Sequence, residues 1–239
     1  MKILYIFPHP DDESFGPAPA IASQLRQGHQ VFLLTYTRGG ATKVRHEYGY
    51  TIEEMGDVRY KEMLNVAHVL GLTGMQVLDL PDSGLKQMDP IEIENITEAH
   101  IRKVVPDVIV TYAVHGISGF HDHLVTHAVV KRVYCKLRRE WDAAPSRMAF
   151  FTLAHSNRDD GKFSLQVSSD DEIDCATPLS GDDIRKGSQA LDCYRTYQEV
   201  IREAKVLERI GNTVYFEFFQ ESYTPHVESI CDKIDGLSN

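Results

Sequence analysis

The sequence is poor in cysteine, in long apolar runs and in positive charge, and each shortage excludes a class of protein. Its four cysteines stand far apart along 239 residues and form no CxxC pair. The pattern therefore indicates neither a disulfide framework nor a thiolate zinc site. No apolar run approaches the roughly 18–20 residues of a membrane span, and the first residues do not form a secretion signal. We expect a cytoplasmic protein without membrane insertion.

Positive charge is outnumbered, with 25 Lys and Arg residues against 35 Asp and Glu residues and a formal net charge of −10. This balance argues against nucleic acid as the main partner, because a phosphate backbone binds a basic face. Hydrophobic residues make up 42% of the chain, as in a globular protein with a buried core. The length fits a single domain over residues 1–239. A homo-oligomer is compatible with the sequence, which does not fix the oligomeric state.

Predicted strands and helices alternate through the first two thirds of the chain. We predict strands at residues 2–7, 30–36, 75–80, 107–112 and 148–153. We predict helices at residues 18–27, 52–70, 90–104 and 122–140. The final third is less regular, with a strand predicted at 163–167, a solvated acidic turn at 170–174, a long helix at 182–205 and a strand at 214–219. The alternation predicts a Rossmann-like α/β fold with a mainly parallel sheet and helices on both faces.

The segment Pro8-His9-Pro10-Asp11-Asp12-Glu13 follows the first predicted strand. In open parallel sheets, ligands bind just outside the carboxyl ends of the strands. One imidazole and three carboxylates at that edge suit zinc or a similar divalent ion. The alternative is an acidic turn that caps the following helix, where Asp and Glu are favoured.

A second cluster places four of the chain's 11 histidines within residues 115–127. It begins in the loop after the fourth predicted strand, again at a carboxyl end. The first and fourth strands are neighbours at the switch point of a doubly wound sheet, so the two loops should converge. A hydrolytic zinc centre has three nitrogen or carboxylate ligands from the protein and one open position for water. It also has a free carboxylate nearby that acts as general base. We therefore predict a metal site at the carboxyl ends of strands 1 and 4.

In these residues the sequence resembles the zinc-dependent PIG-L/LmbE-like deacetylases, which include N-acetylglucosaminyl-phosphatidylinositol deacetylases and the deacetylases of mycothiol and bacillithiol synthesis. The resemblance rests on His-Pro-Asp-Asp-Glu at a strand end and on the later Asp-His pair at 122–123, and it covers most of residues 1–155. It implies that His9, Asp12 and His123 hold the metal and that Asp11 is the general base. Two histidines and one carboxylate suit Zn²⁺, and Fe²⁺ is an alternative.

The resemblance also implies a substrate pocket. Arg59, Glu62 and Asp82 match positions that in this family lie near or hold the sugar hydroxyls. For Glu62, a helix-surface salt bridge with Arg59 three residues away is the favoured interpretation. For Asp82, a turn-forming aspartate before Ser-Gly is an equal alternative. We predict Arg59 and Asp82 as substrate-binding residues.

The chain departs from the family pattern at two places. Phe120 stands where family members commonly have the histidine that stabilises the oxyanion and protonates the leaving amine. His121 is our first choice for the missing imidazole and His115 our second. The family's TxGE pattern is altered to Thr-Arg-Gly-Gly at residues 37–40. His127 lies one helical turn after His123, and we expect it beside the ligands or facing the substrate.

By resemblance, we expect a hydrolase that deacetylates an N-acetylglucosamine conjugate or a related N-acyl amino sugar through a metal-bound water. Asp11 and His121 would be the catalytic residues, and the partner would be a small amino sugar. The alternative is a catalytically impaired metal- or sugar-binding relative on the same fold, which the substitution at Phe120 suggests.

Overall fold

Strand β1 (Lys2–Phe7) is buried on both faces, and the fold is built around it. Ile3, Tyr5 and Phe7 belong to one hydrophobic cluster, whereas Leu4 and Ile6 belong to another. Because a strand alternates its side chains between two faces, both faces of the sheet need a covering layer. In the computed structural model, which describes residues 1–155 and 164–234, helices supply both layers.

Six further strands and seven helices make up the described part of the chain. The strands are β2 (Gln30–Thr37), β3 (Gly74–Leu80), β4 (Val108–Tyr112), β5 (Arg147–Thr152), β6 (Cys175–Pro178) and β7 (Thr213–Phe218). The helices are α1 (Ala18–Arg26), α2 (Ile52–Leu70), α3 (Pro90–Val104), α4 (His121–Glu140), α5 (Gly181–Asp192), α6 (Gln198–Ala204) and α7 (Val206–Ile210). Helices α1, α2 and α5 contribute to the cluster on one face, and α3 and α4 to the cluster on the other.

The strand order is β3-β2-β1-β4-β5-β7-β6. Strands β1 to β5 pair in parallel, whereas β7 runs antiparallel to β5 and β6 antiparallel to β7. The chain moves outward from β1 to β3, then crosses back to add β4 on the other side of β1. The predicted Rossmann-like α/β fold is confirmed, and the loops after β1 and β4 meet at the topological switch point.

Local capping explains why α2 and α3 begin and end where the sequence predicts. Thr51 and Glu54 form a capping box at the start of α2, and Gly71 ends it at a φ of 79°. A left-handed residue at this position suits glycine, which lacks a Cβ. Asp89 accepts a hydrogen bond from the N–H of Ile91 at the start of α3, whose first residue is a proline.

The strand predicted at 163–167 is wrong over residues 164–167, the part of it that the structure describes. Phe163 lies outside the described residues, and residues 164–167 form no strand. The Gln166 N–H donates to the carbonyl of Ile117, and Ser168 forms an isolated bridge with Ala154. This segment bonds to the loop after β4 rather than to a sheet edge.

The predicted helix over 182–205 is wrong as a single element. Helix α5 ends at Asp192, and α6 begins at Gln198 after a 3₁₀ turn at Arg195–Tyr197. Tyr194 leaves helical geometry, with φ −82° and ψ 70°, and is fully buried. Its hydroxyl bonds to the loop after β1. Tertiary burial therefore overrides local helix propensity at this point.

The acidic stretch 170–174 is a solvated turn only in its first part. Residues 170–172 are exposed, but Asp174 is buried. Its carboxylate accepts hydrogen bonds from the N–H groups of Phe218 at 2.7 Å and Tyr223 at 3.1 Å. Strand β6, which the sequence analysis missed, follows directly as an edge strand. It ends at Pro178, a residue that sheet edges tolerate.

All named strands of the described residues join one sheet. None of the helices in residues 1–155 and 164–234 combines the length and the apolar character needed to cross a bilayer. The single domain over 1–239 stays a prediction.

Candidate metal centre and its surroundings

The loop after β1 carries its His-Pro-Asp-Asp-Glu segment as a tight, hydrogen-bonded turn. The carbonyl of Asp11 accepts bonds from the N–H groups of Ser14 and Phe15, at 2.7 and 2.8 Å. The His9 N–H donates to Oδ2 of Asp12 at 2.8 Å. Asp11 adopts a φ of 86°, a left-handed conformation that costs about 1–2 kcal/mol for a residue other than glycine. These bonds fix the directions in which the neighbouring side chains point.

The structure brings together the three predicted metal ligands, His9, Asp12 and His123. Nε2 of His123 lies 3.4 Å from Oδ1 of Asp12, and Nδ1 of His9 lies 3.6 Å from its Oδ2. One ligand atom from each residue lies within 4.8 Å of the other two. Two ligands that bind one zinc ion tetrahedrally at about 2.0–2.1 Å are themselves about 3.3 Å apart. The spacing therefore fits a metal ion with little movement of the side chains.

The loop before α4 sets the orientation of His123. Its Nδ1 lies 2.9 Å from the carbonyl of Gly116, so Nδ1 carries the proton and Nε2 keeps its lone pair toward Asp12. The ring stacks on Tyr112 at 4.3 Å, and the Tyr112 hydroxyl donates to Oδ1 of Asp12 at 2.7 Å. Gly116 has a φ of 63°, and a Cβ there would lie 2.8 Å from Cβ of His123. Only glycine allows the loop to approach the ligand this closely.

Two further carboxylates orient His9 from the other side. Nε2 of His9 lies 3.2 Å from Asp122 and 3.3 Å from Asp82. His9, Asp82 and Asp122 thus form a second group whose ligand atoms lie within 4.8 Å of one another. Asp122 also accepts the N–H of Leu85 at 3.3 Å, and Asp82 accepts the N–H of Ala41 at 2.6 Å. We therefore assign them a positioning role, in which they hold the proton on Nε2 and leave Nδ1 for the metal.

The predicted general base, Asp11, is paired with Arg59 rather than with the ligands. Nη2 of Arg59 lies 2.5 Å from Oδ2 of Asp11 and donates to the carbonyl of Pro10 at 2.7 Å. The guanidinium is buried and lies 4.4 Å from the ring centroid of Tyr197. A Cβ on Gly39 would lie 2.5 Å from Nη1 of Arg59. Glycine in the altered Thr-Arg-Gly-Gly segment therefore makes room for this arginine.

Burial and neighbouring charge shift the pKa values of these groups in different directions. Burial alone lowers the pKa of His9, but hydrogen bonds with the carboxylates of Asp12 and Asp122 raise that pKa to about 10. Burial raises the pKa of Asp12, yet the charge of His123 and the hydrogen bond from His9 hold that pKa below its usual range. Burial also raises the pKa of Asp11, to about 7, against the opposing charge of Arg59. Asp12 is therefore held as a carboxylate beside the two imidazoles, and Asp11 is able to take a proton near neutral pH.

A residue from the last third of the chain holds the loop in place. The hydroxyl of Tyr194 accepts the Asp11 N–H at 2.8 Å and donates to Oε1 of Glu13 at 2.7 Å. Ser14 donates to the same Oε1 at 2.6 Å, while Oε2 of Glu13 is buried without a partner. Burial raises the pKa of Glu13 to about 7. Sequence reasoning missed Tyr194, because nothing in its segment distinguishes it from a core residue of a helix.

The predicted salt bridge between Glu62 and Arg59 is wrong. Glu62 is buried, and its carboxylate accepts the N–H of Thr196 at 2.9 Å and its hydroxyl at 2.8 Å. Arg59 instead pairs with Asp11. The hydroxyls of Tyr197 and Thr42 lie 3.0 Å apart. The 3₁₀ turn at Arg195–Tyr197 thus ties α2 and the loop after β2 to the site.

The two candidate replacements for the missing imidazole differ in their surroundings. Nδ1 of His115 accepts the N–H of Ile117 at 3.0 Å, and its Nε2 lies 3.3 Å from the hydroxyls of Thr152 and Ser168. Both of its ring nitrogens are therefore occupied. His121, the first residue of α4, is exposed and makes no hydrogen bond, ion pair or ring contact within the described residues.

Phe120 and His127 flank the ligand His123. Phe120 is 64% exposed, and its ring meets the His123 ring edge-on at 5.6 Å. His127 is buried against Phe150, and its Nδ1 lies 2.9 Å from the carbonyl of Tyr112. Since Tyr112 also bonds to Asp12, His127 supports the ligand set through its neighbour. The substrate-facing alternative for His127 stays a prediction.

Comparison with protein families gives a match over residues 4–134 to the family model described as PIG-L, GlcNAc-PI de-N-acetylase. The N-acetylglucosaminyl-phosphatidylinositol de-N-acetylase of Bos taurus is 29% identical over 135 residues, which cover 54% of this chain and 49% of that protein. The chain spans about half the length of the first curated relatives it matches.

Solved structures share the fold over most of the chain. The N,N'-diacetylchitobiose deacetylase of Pyrococcus horikoshii has a TM-score of 0.68 at 16% identity, covering 91% of this chain and 83% of that one. The 4-carboxy-2-hydroxymuconate hydratase GalB of Pseudomonas putida KT2440 has a TM-score of 0.68 at 14% identity, covering 93% and 97%. At these identities the similarity establishes the fold alone.

Replacing His9, Asp12 or His123 by alanine should reduce the bound metal to a small fraction of that in the unchanged protein, because each is one of the three candidate ligands in this group. Elemental analysis after dialysis measures the metal, and circular dichroism checks the fold. His121→Ala is the matched control and should retain its metal. Full metal content in His123→Ala would mean that the ligand set is wrong.

The metal-free protein should become less stable as pH rises from about 4.5 to about 7, in part because Glu13 ionises in the folded state only near pH 7. The unfolded chain ionises earlier, so the penalty grows through this window and is constant above it. Glu13→Gln should abolish this component, worth about 3 kcal/mol at most. Urea unfolding in EDTA at several pH values measures it, with the exposed Glu199→Gln as control. A stability difference between Glu13→Gln and the unchanged protein that does not vary with pH would contradict this assignment.

Proposed function

The chain belongs to the PIG-L family, and on that premise we propose that it is a metal-dependent N-deacetylase. The proposed substrate is an N-acetylglucosamine conjugate or a related N-acyl amino sugar, and the reaction is hydrolysis of its amide. The observation that carries the proposal is the convergence of His9, Asp12 and His123 at the switch point, with Asp11 beside them and paired to Arg59.

The donor set fits Zn²⁺, with Fe²⁺ as the alternative. Two imidazoles and one carboxylate suit both ions, and the proton positions on His9 and His123 leave a lone pair of each toward Asp12. When bound, such an ion acidifies water and polarises a carbonyl oxygen. Apart from this ion, the proposed reaction needs only the substrate and the water that hydrolyses its amide.

Asp11 acts as the general base in this proposal. A carboxylate that binds a metal is poorly basic, whereas Asp11 is not in the ligand group. Burial raises its pKa to about 7, which brings its basicity close to that needed at neutral pH. Arg59 and Tyr194 hold it from two sides, so proton transfer from water to the carboxylate would need little rearrangement.

His121 is proposed as the imidazole that stabilises the oxyanion and returns a proton to the leaving amine. The competing residue His115 has both ring nitrogens hydrogen-bonded. His121 is uncommitted within the described residues and begins the helix that carries His123. The N-terminus of a helix also favours developing negative charge.

Arg59 and Asp82 are proposed to line the sugar side of the cleft. Both bond to the loop after β2, since Arg59 donates to the carbonyl of Gly39 and Asp82 accepts the N–H of Ala41. Because Arg59 is paired with Asp11, it would contact both the sugar and the general base. The proposed partner is a small amino sugar in the cytoplasm, with no nucleic acid.

A second candidate function is that of a metal- or sugar-binding relative without turnover. The observation that favours it is Phe120, an exposed phenyl ring beside His123 where the family commonly has an imidazole. A phenyl ring neither donates nor accepts a proton. Metal binding without release of amine from N-acyl amino sugars would support this function.

Asp11→Asn should keep its metal and lose about 10²–10⁴-fold in kcat, because the amide keeps the shape but not the basicity of the carboxylate. Release of amine from a panel of N-acyl amino sugars measures turnover. The exposed Asp142→Asn, at the far end of α4, is the control. A metal-free Asp11→Asn protein would mean that Asp11 is a ligand.

His121→Ala should lower kcat by a large factor while zinc is retained, because the imidazole acts on charge that develops during the reaction. His68→Ala, an exposed histidine on α2, is the matched control. Phe120→His should add little if His121 already fills the role. Unchanged turnover in both His121→Ala and His115→Ala would refute an imidazole in this role. Activity that arises only with Phe120→His would favour the non-catalytic relative.

A further inference from the structure

Exposed apolar side chains are concentrated around the loop between β4 and α4. Val114 is 66% exposed and Phe120 64% exposed, the two highest values among the large hydrophobic side chains of the described residues. Leu124, in the first turn of α4, is 37% exposed. We call these three residues the apolar rim. Apolar groups exposed together at one place commonly mark a binding surface.

Two residues of the apolar rim, Phe120 and Leu124, lie next to the candidate metal centre. The Phe120 ring contacts the ring of His123 at 5.6 Å. A Cβ placed on Gly116 would lie 2.8 Å from His123 and 3.2 Å from the side chain of Leu124. Phe120 and Leu124 therefore border His123, and Val114 lies in the loop that leads to them, so a group held at the metal would lie beside this part of the rim.

The sheet order decides which part of a substrate faces the rim. The strands run β3-β2-β1-β4, so the loops after β2 and β3 lie on one side of β1 and the loop after β4 on the other. The polar residues proposed for the sugar, Arg59 and Asp82, bond to the loop after β2. An amide carbonyl has two substituents, the amino sugar and the acyl group. With the sugar toward β2 and β3, the acyl group points toward β4 and the apolar rim.

From this juxtaposition we propose that the acyl group of the substrate is longer than acetyl, a medium-length hydrocarbon chain that packs on Val114, Phe120 and Leu124. The inference rests on the proposed function and names its substrate more closely. Water adds to the carbonyl carbon, the C–N bond breaks, and the products are a fatty carboxylate and the amine of the sugar. The aromatic ring at Phe120 then serves acyl recognition in place of the family's imidazole.

The expected size of the effect follows from the area that a chain would cover. A fully buried methylene group is worth about fourfold in binding. An open rim covers the chain on one side only, so a factor a little under two, about 1.8-fold for each methylene, is expected. N-hexanoylglucosamine has four more methylene groups than N-acetylglucosamine, and its kcat/KM should be about tenfold higher.

The test measures amine release from N-acetyl-, N-butyryl- and N-hexanoylglucosamine by the zinc-loaded full chain. The variants are Val114→Thr, which keeps the side-chain shape, Phe120→Ala and Leu124→Gln. Leu64→Ala, an exposed leucine on α2, is the matched control and should leave the hexanoyl-to-acetyl ratio unchanged. Each rim variant should bring that ratio closer to one. Calorimetry with Asp11→Asn measures binding of the same sugars without turnover.

The outcomes separate this inference from the function on which it rests. If the sugars are hydrolysed but acetyl is preferred, or the ratio is the same in the rim variants, the inference fails and the deacylase function stands. If no sugar is hydrolysed, yet N-hexanoylglucosamine binds about tenfold more tightly than N-acetylglucosamine and the rim variants remove the difference, the rim is supported and the hydrolytic function fails. Equal or absent binding of both sugars overturns the inference.

Discussion

The imidazole of His9 is the point on which the site depends, because it joins three loops at the carboxyl edge of the sheet. Its Nδ1 faces Asp12 in its own loop, and its Nε2 faces Asp82 after β3 and Asp122 at the start of α4. A neutral imidazole can serve a metal with one nitrogen only if the other carries the proton. The two carboxylates hold a proton on Nε2 and so direct a metal to Nδ1, which means that loops from separate strands must be in place before the candidate ligand set is complete.

A second constraint comes from the last third of the chain, outside the residues 4–134 that match the family model. Tyr194 holds the backbone of Asp11, and Tyr197 lies against Arg59, which pairs with the Asp11 carboxylate. The interruption between α5 and α6 places both tyrosines. The break between α5 and α6 thus supports the proposed base. A change that joined α5 and α6 into one continuous helix would remove the contacts that hold Asp11.

The fold by itself does not decide the reaction, since it is shared with both a deacetylase and a hydratase. What distinguishes this chain lies in the loop after β4. There both ring nitrogens of His115 are hydrogen-bonded, Phe120 exposes its ring beside His123, and the side chain of His121 makes no hydrogen bond or ion pair within residues 1–155 and 164–234. Phe120 thus places an apolar surface where family members commonly have an imidazole. This surface links the proposed hydrolysis to the length of the acyl group that is removed.

The sequence by itself determined the alternating strands and helices, because buried strands are short apolar runs and capping residues such as Thr51 and Gly71 act locally. It also indicated a metal site in the loops after β1 and β4, since the carboxyl ends of neighbouring strands meet at one edge of the sheet, and the family resemblance implied His9, Asp12 and His123 as its candidate ligands. Only the tertiary structure decided the partner of Arg59, the burial of Glu62 and the break after α5, where Tyr194 leaves helical geometry. These outcomes depend on contacts between residues 48 to 183 positions apart, and no local pattern encodes contacts of that range.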